Sequence, residues 1–542
     1  MDGTELNFVN NQEYKMNRLS NVVVGFIIQH PHLQLMKAII VNFGGQYAHL
    51  IARRLREAGL YAELVWPEEA LDAASKPDVV AIVLSGGPSS VLDEKAPTIS
   101  REIFDLGKPV LGICFGHQLI AKLLGGEVAK GAGEYGNTKM RLLKRDEILQ
   151  GFDDEEVVWM SHGDYVAKEP SGFEVLALSE KGYIAAMKSG SIYGVQFHPE
   201  VAHTPKGRIL FENFVTKIVG IKPEERWNPV NEIPRLLEEI RRTVGSEDRV
   251  VIGVSGGVDS TVTAVLLVKA LGERAVPIFV NHGLFRQYEA EEVLRMFQNL
   301  GIKVKYVDAS EEFLKQLEGT FDCEDRRKIV GKLFVDVFTK AASEVPNAKW
   351  LAQGTLYPDV IESGAVRGAD RIKSHHNVAG LPEGLKFKLL EPLRQFYKDE
   401  VRAIGKALGL PDEVVFRHPF PGPGLAVRVI GKFNREKLEI VRKASYIVEE
   451  ELKKANLYDK VWQAFATVGD DTWVGVKGDA RVLGYVVVVR VMQSEDAMTA
   501  DWVMLERDLL SRISHRITSE IPKVTMVAYA VTPKPPSTIE PC

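Results

Sequence analysis

"VLGICFGHQLIAKLLGG", residues 110–126, sets one of only three cysteines between two glycines. Val110, Leu111 and Ile113 read as a short buried strand, because a compact apolar run bounded by turn residues suits a parallel sheet. Leu119, Ile120, Leu123 and Leu124 fall on one face of a 3.6-residue repeat, and Gly125-Gly126 ends it. Cys114 therefore stands at a strand-to-helix corner, where the helix N-terminus favours thiolate over thiol. Gly112 and Gly116 permit unusual backbone angles and close approach. The plain alternative is a buried, inert cysteine, and the rest of the chain decides between them.

The alternation continues on both sides of this corner. Strands are expected at 38–42, 62–66, 79–84, 109–113, 157–160, 174–178, 183–187 and 192–196, with helices at 46–58, 99–106, 116–124 and 206–218. Residues 222–234 hold three prolines without clean periodicity and read as a linker. A second α/β run follows: helix 234–244, strand 249–254, helix 259–271, strand 275–280, helix 288–300, strand 303–307, helices 310–317 and 330–344, and a strand at 349–352. Beyond "HPFPGPGLAVRV" (418–429) the pattern changes to helices at 434–455 and 500–520 and strands at 461–468, 483–492 and 524–531. The expected class is α/β: two successive α/β domains with mainly parallel sheets over 36–221 and 222–426, plus a small C-terminal α+β domain over 427–542. Residues 1–35 carry one seven-residue apolar run (22–28) and no domain pattern. They read as a loosely attached tail, or as lying ahead of a biological start at Met36.

At 542 residues the chain exceeds one core. A net charge of -5 gives no basic field for nucleic acid. Cysteines at 114, 323 and 542 suggest no disulfide framework and fit a reducing cytoplasm. The adjacent His375 and His376 cannot both face one metal from a regular element, and no stretch approaches the roughly 18 apolar residues of a membrane span.

A nucleophilic thiolate needs a base, and the base needs an orienting carboxylate. "YGVQFHPEV" (193–201) offers both: His198 at a strand end, Pro199 marking that end, and Glu200 two positions on. Alone, "HPE" would be a surface turn. Upstream, "IVLSGGPSSV" (82–91) is a strand and glycine turn whose amide at Gly87, with that of Phe115, could hold an oxyanion. "NFGGQY" (42–47), "LSGGP" (84–88), "GICFGHQ" (112–118) and "QFHPE" (196–200) together resemble the class I glutamine amidotransferase family, in its order. The resemblance implies that Cys114 attacks the glutamine amide, with His198 and Glu200 as partners, to release ammonia through a thioester. It also implies that Gln118, Ser161 and His162, the last two in the "SHGD" loop (161–164), line the glutamine pocket.

"VVIGVSGGVDSTVTAVLLVKAL" (250–271) runs from a β-branched strand through a glycine loop into an apolar helix. No Gly-Lys-Ser/Thr follows, so it is not a Walker A loop. The glycines still let amides converge on phosphate, and Ser255, Ser260 and Thr261 add hydroxyls. Asp259 reads either as a helix cap or as a carboxylate for a magnesium–pyrophosphate group. The hexapeptide Ser255-Gly256-Gly257-Val258-Asp259-Ser260 resembles the pyrophosphate loop of the N-type ATP pyrophosphatases, which implies ATP binding through these residues and Thr261.

"RRKIVGKLFVDVF" (326–338), "LAQGTLYPDVIES" (351–363), "IKSHHNVAGLP" (372–382), "EPLRQFYKDEVR" (391–402), "RHPFPGPGLAVRV" (417–429) and "KPPSTIE" (534–540) resemble the glutamine-hydrolysing GMP synthase family. That implies three substrates, glutamine, ATP and xanthosine monophosphate (XMP), Mg2+ with ATP and no tightly bound organic cofactor. It implies a cytoplasmic homodimer joined through the C-terminal domain, with no nucleic-acid or membrane partner. Arg327, Lys534 and Glu540 are the implied XMP contacts. Lys332, Lys373 and Arg371 are candidate phosphate contacts whose alternative is a solvated charged face. The stiff loop at 419–423 could be a plain connector. The family tail usually reads "TIEWE"; here it reads "TIEPC" (538–542). Two other readings stay open: a related fusion acting on another acceptor, and a nucleotide-binding regulator without catalysis.

Overall fold

A computed structural model describes residues 35–362, 387–494 and 499–542. Residues 1–34, Arg371, Lys373, His375 and His376 lie outside the described residues. The chain divides into two compact units, Met1–Asn228 and Pro229–Cys542.

The first unit is built on one nine-stranded sheet: β1 (Lys37–Val41), β2 (Tyr61–Val65), β3 (Val79–Leu84), β4 (Val110–Ile113), β5 (Glu127–Leu142), β6 (Glu155–Lys168), β7 (Glu174–Ser179), β8 (Ile184–Ser189) and β9 (Ile192–Val195). Its order is β2-β1-β3-β4-β9-β8-β7-β5-β6. The first five in that order pair in parallel, and the remaining pairings are antiparallel. The parallel strands are apolar runs because both faces are covered. Ile39, Ile82, Leu84 and Val110 share a core with Leu119 and Ile120 of helix Phe115–Leu123. The parallel arrangement delivers the loops after β1, β3, β4 and β9 to one edge, the carboxyl edge where open α/β sheets place ligands.

Glycines set the depth of this edge. A Cβ on Gly112 would stand 2.6 Å from the Gly116 carbonyl oxygen, and one on Gly116 2.2 Å from the Leu84 carbonyl oxygen. Helix Phe115–Leu123 therefore lies on β3 and β4 at backbone contact. The long strand β5 was not expected from the sequence. Gly131, Gly133 and Gly136 interrupt it and half of it is exposed, so it lacks an apolar alternation. Its ladder with β6 makes it, and that ladder places Ser161 to Asp164 within a strand rather than in the expected loop. The helix expected at 206–218 is helical over Gly207–Asn213 and closes in a wider π turn, Phe214–Ile218.

The second unit carries two sheets. In the first, β10 (Arg249–Gly253), β11 (Ala275–Asn281), β12 (Lys305–Asp308), β13 (Ala348–Ala352) and β14 (Lys388–Leu390) run in the order β12-β11-β10-β13-β14, all parallel. Strand order reverses at β10 and β13, so a crevice opens at their carboxyl ends. In the second sheet β15 (Gln463–Lys477) and β16 (Ala480–Gln493) form a long antiparallel ribbon. β17 (Asp501–Trp502) extends it on one edge, and β18 (Val524–Tyr529) lies parallel to β16. The segments expected at 222–426 and 427–542 thus hold separate sheets, yet share one core. Val251, Ile278 and Phe338 belong to the same buried cluster as Leu425, Val441 and Val489.

Three expectations need correction. The helix expected from 330 starts at Cys323, because Asp322 caps it by accepting from the Asp325 amide. The helix expected from 500 starts at Arg507, since 501–502 pair with β16 instead. The cysteines are not all free: Cys323 and Cys542 form a disulfide with Cα atoms 6.1 Å apart, leaving Cys114 as a free thiol. The partners are separated by 219 residues, a pairing no local pattern announces.

Gly116→Ala is expected to destabilise the first unit by about 3 kcal/mol, because the added methyl meets backbone that cannot yield. Gly107→Ala, with φ of 69° and open space around its Cβ, should cost only about 1 kcal/mol. Urea unfolding of both variants checks the contrast.

Candidate active sites

Cys114 adopts φ 52° and ψ -102°, a left-handed conformation that a non-glycine residue holds only under constraint. The constraint is visible: the Cys114 amide donates to Val195 O at 2.8 Å and the Gly116 amide to Ser85 O at 3.1 Å. The kink lifts the thiol off the end of β4. His198 leaves β9 at the neighbouring position, with Nδ1 2.7 Å from Glu200 Oε1. Its amide donates to Trp159 O, and its carbonyl accepts from Thr204 Oγ1 at 2.7 Å. Arg54 Nε donates to the Glu200 carbonyl at 3.1 Å, so the His-Pro-Glu turn is held from both sides.

Glu200 is fully buried and its Oε2 has no hydrogen-bond partner among the described residues. A buried carboxylate is costly unless compensated, and the nearest compensation is a charged imidazole. Burial opposes that charge on His198, but Glu200 and the Cys114 sulfur outweigh it and hold the imidazole well above its ordinary pKa. A positive imidazole beside a cysteine sulfur is the arrangement thiol nucleophiles use. Gly86 makes room for it: a Cβ there would stand 3.1 Å from His198 Cε1 and 3.8 Å from Cys114 Cβ.

The thiol opens into a cavity of about 520 Å3 lined by Gly44 to Ala48, Gly86 to Ser90, Phe115, Gln118, Tyr135 and Ser161 to Asp164. Neither the Gly87 nor the Phe115 amide donates to a protein acceptor among the described residues, so both remain available for an oxyanion. The Ser161 carbonyl lies 3.7 Å from Cys114 Sγ. Gln118 and His162 line the cavity but are committed to its wall. Gln118 Nε2 donates to Asp164 O at 2.7 Å and Gln196 Oε1 at 3.2 Å. His162 contacts Asp164 O through Nδ1 and Glu134 Oε2 through Nε2. Sequence reasoning missed Tyr135 and Ser90 here. Tyr135 rides on the unforeseen β5, and Ser90 is recognisable only by its bond to the Asp164 carboxylate.

The second site follows β10 at the switch point. Gly256 has φ +77°, and a Cβ there would meet Val293 and Arg417. Ser260 Oγ donates to Gly257 O at 3.2 Å and contacts Ser255 Oγ at 3.4 Å, folding the loop back over the N-terminus of helix Val258–Leu271. Gly257 is the N-cap, without any side-chain bond, so Asp259 is not a helix cap. Asp259 Oδ2 instead meets Lys398 Nζ at 2.5 Å, while Oδ1 is buried without a hydrogen-bond partner among the described residues. Burial pushes its carboxyl up, and Lys398 partly offsets this. Thr261 is fully buried at the start of the helix, and its hydroxyl has no hydrogen-bond partner among the described residues. Lys398 and Arg417, which sequence reasoning did not single out, are the cations beside this loop.

The remaining candidates gather at helix Cys323–Ser343 and the tail. Arg327 Nη2 donates to the Cys542 carbonyl. Lys332 is exposed on the same helix. Glu540 accepts from Arg428 at 2.8 and 3.1 Å and from Gln463 Nε2 at 2.6 Å. Lys534 is tied to Ala500 through two backbone hydrogen bonds. The loop at 419–423 is anchored, with the Pro419 carbonyl accepting from Gln463 and Arg286.

A kinked cysteine beside a buried His–Glu pair, followed by a glycine cradle at a second sheet's switch point, defines a class I glutamine amidotransferase joined to an ATP pyrophosphatase-type unit. Residues 39–218 match the family "Glutamine amidotransferase class-I", 230–332 match "NAD synthase" and 450–541 match "GMP synthase C terminal domain". Proteins named glutamine-hydrolysing GMP synthase are similar throughout. That of Pyrobaculum aerophilum is 64% identical, covering 93% of this chain and 100% of its own. Those of Aquifex aeolicus and Carboxydothermus hydrogenoformans are 49% and 50% identical, over 94% and 93% of this chain and 100% and 99% of theirs. The chain belongs to the glutamine-hydrolysing GMP synthase family.

Cys114→Ala is expected to abolish glutamine-driven turnover and leave turnover on free ammonia intact; equal loss of both in a folded variant would refute the division of labour. Glu200→Gln tests the charge balance. His198 has a raised pKa in the folded state, so its stabilising effect is complete below its ordinary value of about 6.5 and is lost as pH rises through the folded value. Removing the Glu200 charge should move that loss to lower pH, read from urea midpoints across roughly pH 6 to 10.

Proposed function

We propose that the chain converts XMP to GMP, using glutamine as nitrogen donor and ATP as activator. The observation that carries this reading is the presence in one chain of a site built to release ammonia and a cradle built for pyrophosphate. In the first site the Cys114 sulfur attacks the glutamine side-chain carbonyl, and the Gly87 and Phe115 amides receive the developing oxyanion. His198 donates its proton to the departing ammonia, then takes one from the water that cleaves the thioester and releases glutamate. Glu200 keeps the imidazole oriented and compensates its charge.

In the second site the amides of Ser255 to Ser260 and the start of helix Val258–Leu271 hold the β and γ phosphates, with Lys398 and Arg417 beside them. The XMP C2 oxygen attacks the α phosphorus, pyrophosphate departs, and ammonia then displaces AMP at C2. Arg327, Lys534 and Glu540 hold XMP; Lys332 and Lys373 are further phosphate contacts. Among the described residues no cluster of three or more His, Cys, Asp or Glu side chains could ligate a metal by itself. The orphan Asp259 Oδ1 fits an ion that arrives with ATP, since Mg2+ takes one or two carboxylates and completes its shell with phosphate and water. Mg2+ bound there would neutralise phosphate charge. The chemistry needs no tightly bound organic cofactor.

No helix among the described residues is long and apolar enough to cross a membrane. We assign the enzyme to the cytoplasm, without nucleic-acid or membrane partners, and as a homodimer through its C-terminal sheet. Val474, Val476 and Leu483 support the dimer. They alternate on one face of the β15/β16 ribbon, Val474 opposite Leu483, and all are exposed.

Supplying XMP, Mg-ATP and glutamine should yield GMP, AMP and pyrophosphate, identified by chromatography; another acceptor outperforming XMP would overturn the assignment. Asp259→Asn should lower pyrophosphate release by about a hundredfold or more with ammonia as nitrogen source. Val476→Glu combined with Leu483→Glu should give monomers by light scattering.

A further inference from the structure

The tail beyond β18 has almost no regular structure and little burial, yet it carries two of the residues assigned above to XMP. After the Lys534–Ala500 pairing, Arg490 donates to Thr538 O at 2.8 Å and Ile539 O at 3.0 Å. The fully buried Arg428 and Gln463 then fix the Glu540 carboxylate. Two residues later Cys542 is bonded to Cys323. Cys323 opens the helix that bears Arg327, and the two stand one turn apart, on the same helical face. Arg327 reaches back to the Cys542 carbonyl, while its Nε faces Glu324 Oε1 at 3.5 Å.

We infer that the Cys323–Cys542 disulfide is a clasp that positions the XMP-binding edge, fixing Glu540 on the tail against Arg327 on the helix; this rests on the XMP assignment above. Without the clasp, Thr538 to Glu540 keep their bonds to Arg490, Arg428 and Gln463, but Cys542 and its carbonyl contact with Arg327 would have to be ordered by each binding event. Fixing them beforehand removes that entropic cost from nucleotide binding. The bond acts where the family tail usually has Trp-Glu and this chain has Pro541-Cys542. Cys323 and Cys542 are positioning residues, since neither needs to touch substrate.

The full-length enzyme tests this in the ammonia-driven reaction, which does not require Cys114. Non-reducing peptide mapping should recover the Cys323–Cys542 linked peptide; its absence would overturn the clasp. Cys542→Ser and Cys323→Ser should each raise the KM for XMP about tenfold, with kcat and the KM for ATP changed less than about twofold. Dithiothreitol, which gives two electrons and two protons to the disulfide and becomes a cyclic disulfide itself, should reproduce that shift in the unaltered enzyme and have no effect on either variant. An unchanged KM for XMP, or parallel losses for XMP and ATP, would refute a positioning role. Glu540→Gln separates the two ideas: it should raise the KM for XMP in both redox states. If it does not, the Glu540 assignment is what fails; if it does while the cysteine variants behave normally, the clasp fails.

Discussion

Gly116 meets Leu84 backbone to backbone, and the first site depends on that contact. The helix could not approach β3 so closely with any side chain in the way. At a greater distance the Gly116 amide would lose the Ser85 carbonyl, one of the two bonds that hold Cys114 at positive φ. The corner therefore trades local backbone strain for placement, and dense packing around it sustains the strain. The thiol, the two open amides and the His–Glu pair then fall within one small volume without a long loop to position any of them.

The two units reach their sites by one topological route. In each, a parallel sheet ends in a glycine turn that leads into a buried helix, and ligand space opens where the carboxyl ends of neighbouring strands converge. The chemical difference lies in what is added at that edge. The first unit adds a base and a buried acid from β9; the second adds lysine and arginine from segments that follow β14. One edge supports nucleophilic attack, the other tolerates accumulated negative charge.

Apart from β14 (Lys388–Leu390), which the sequence pattern does not mark, the parallel strands and their glycine turns were legible in sequence because short apolar runs between glycines allow few alternatives. Cys114, His198, Glu200 and the Ser255 to Ser260 loop were legible for the same reason: each follows closely on a strand whose end the pattern locates. What escaped was made by partners distant in sequence. β5 exists through its ladder with β6, so its own residues announce little. Lys398 beside Asp259 joins residues 139 apart, and the disulfide joins residues farther apart still.

The single apolar interior beneath both sheets of the second unit carries a consequence for how this half of the chain can have been assembled and inherited. Val251 and Val489 lie on different sheets and share one buried cluster. A chain cut between residues 426 and 427 would leave each fragment with an oily face turned to water, so the nucleotide crevice and the ribbon beyond it are not exchangeable modules. A change of volume on either side must be answered by repacking on the other, which obliges the two segments to evolve as a pair.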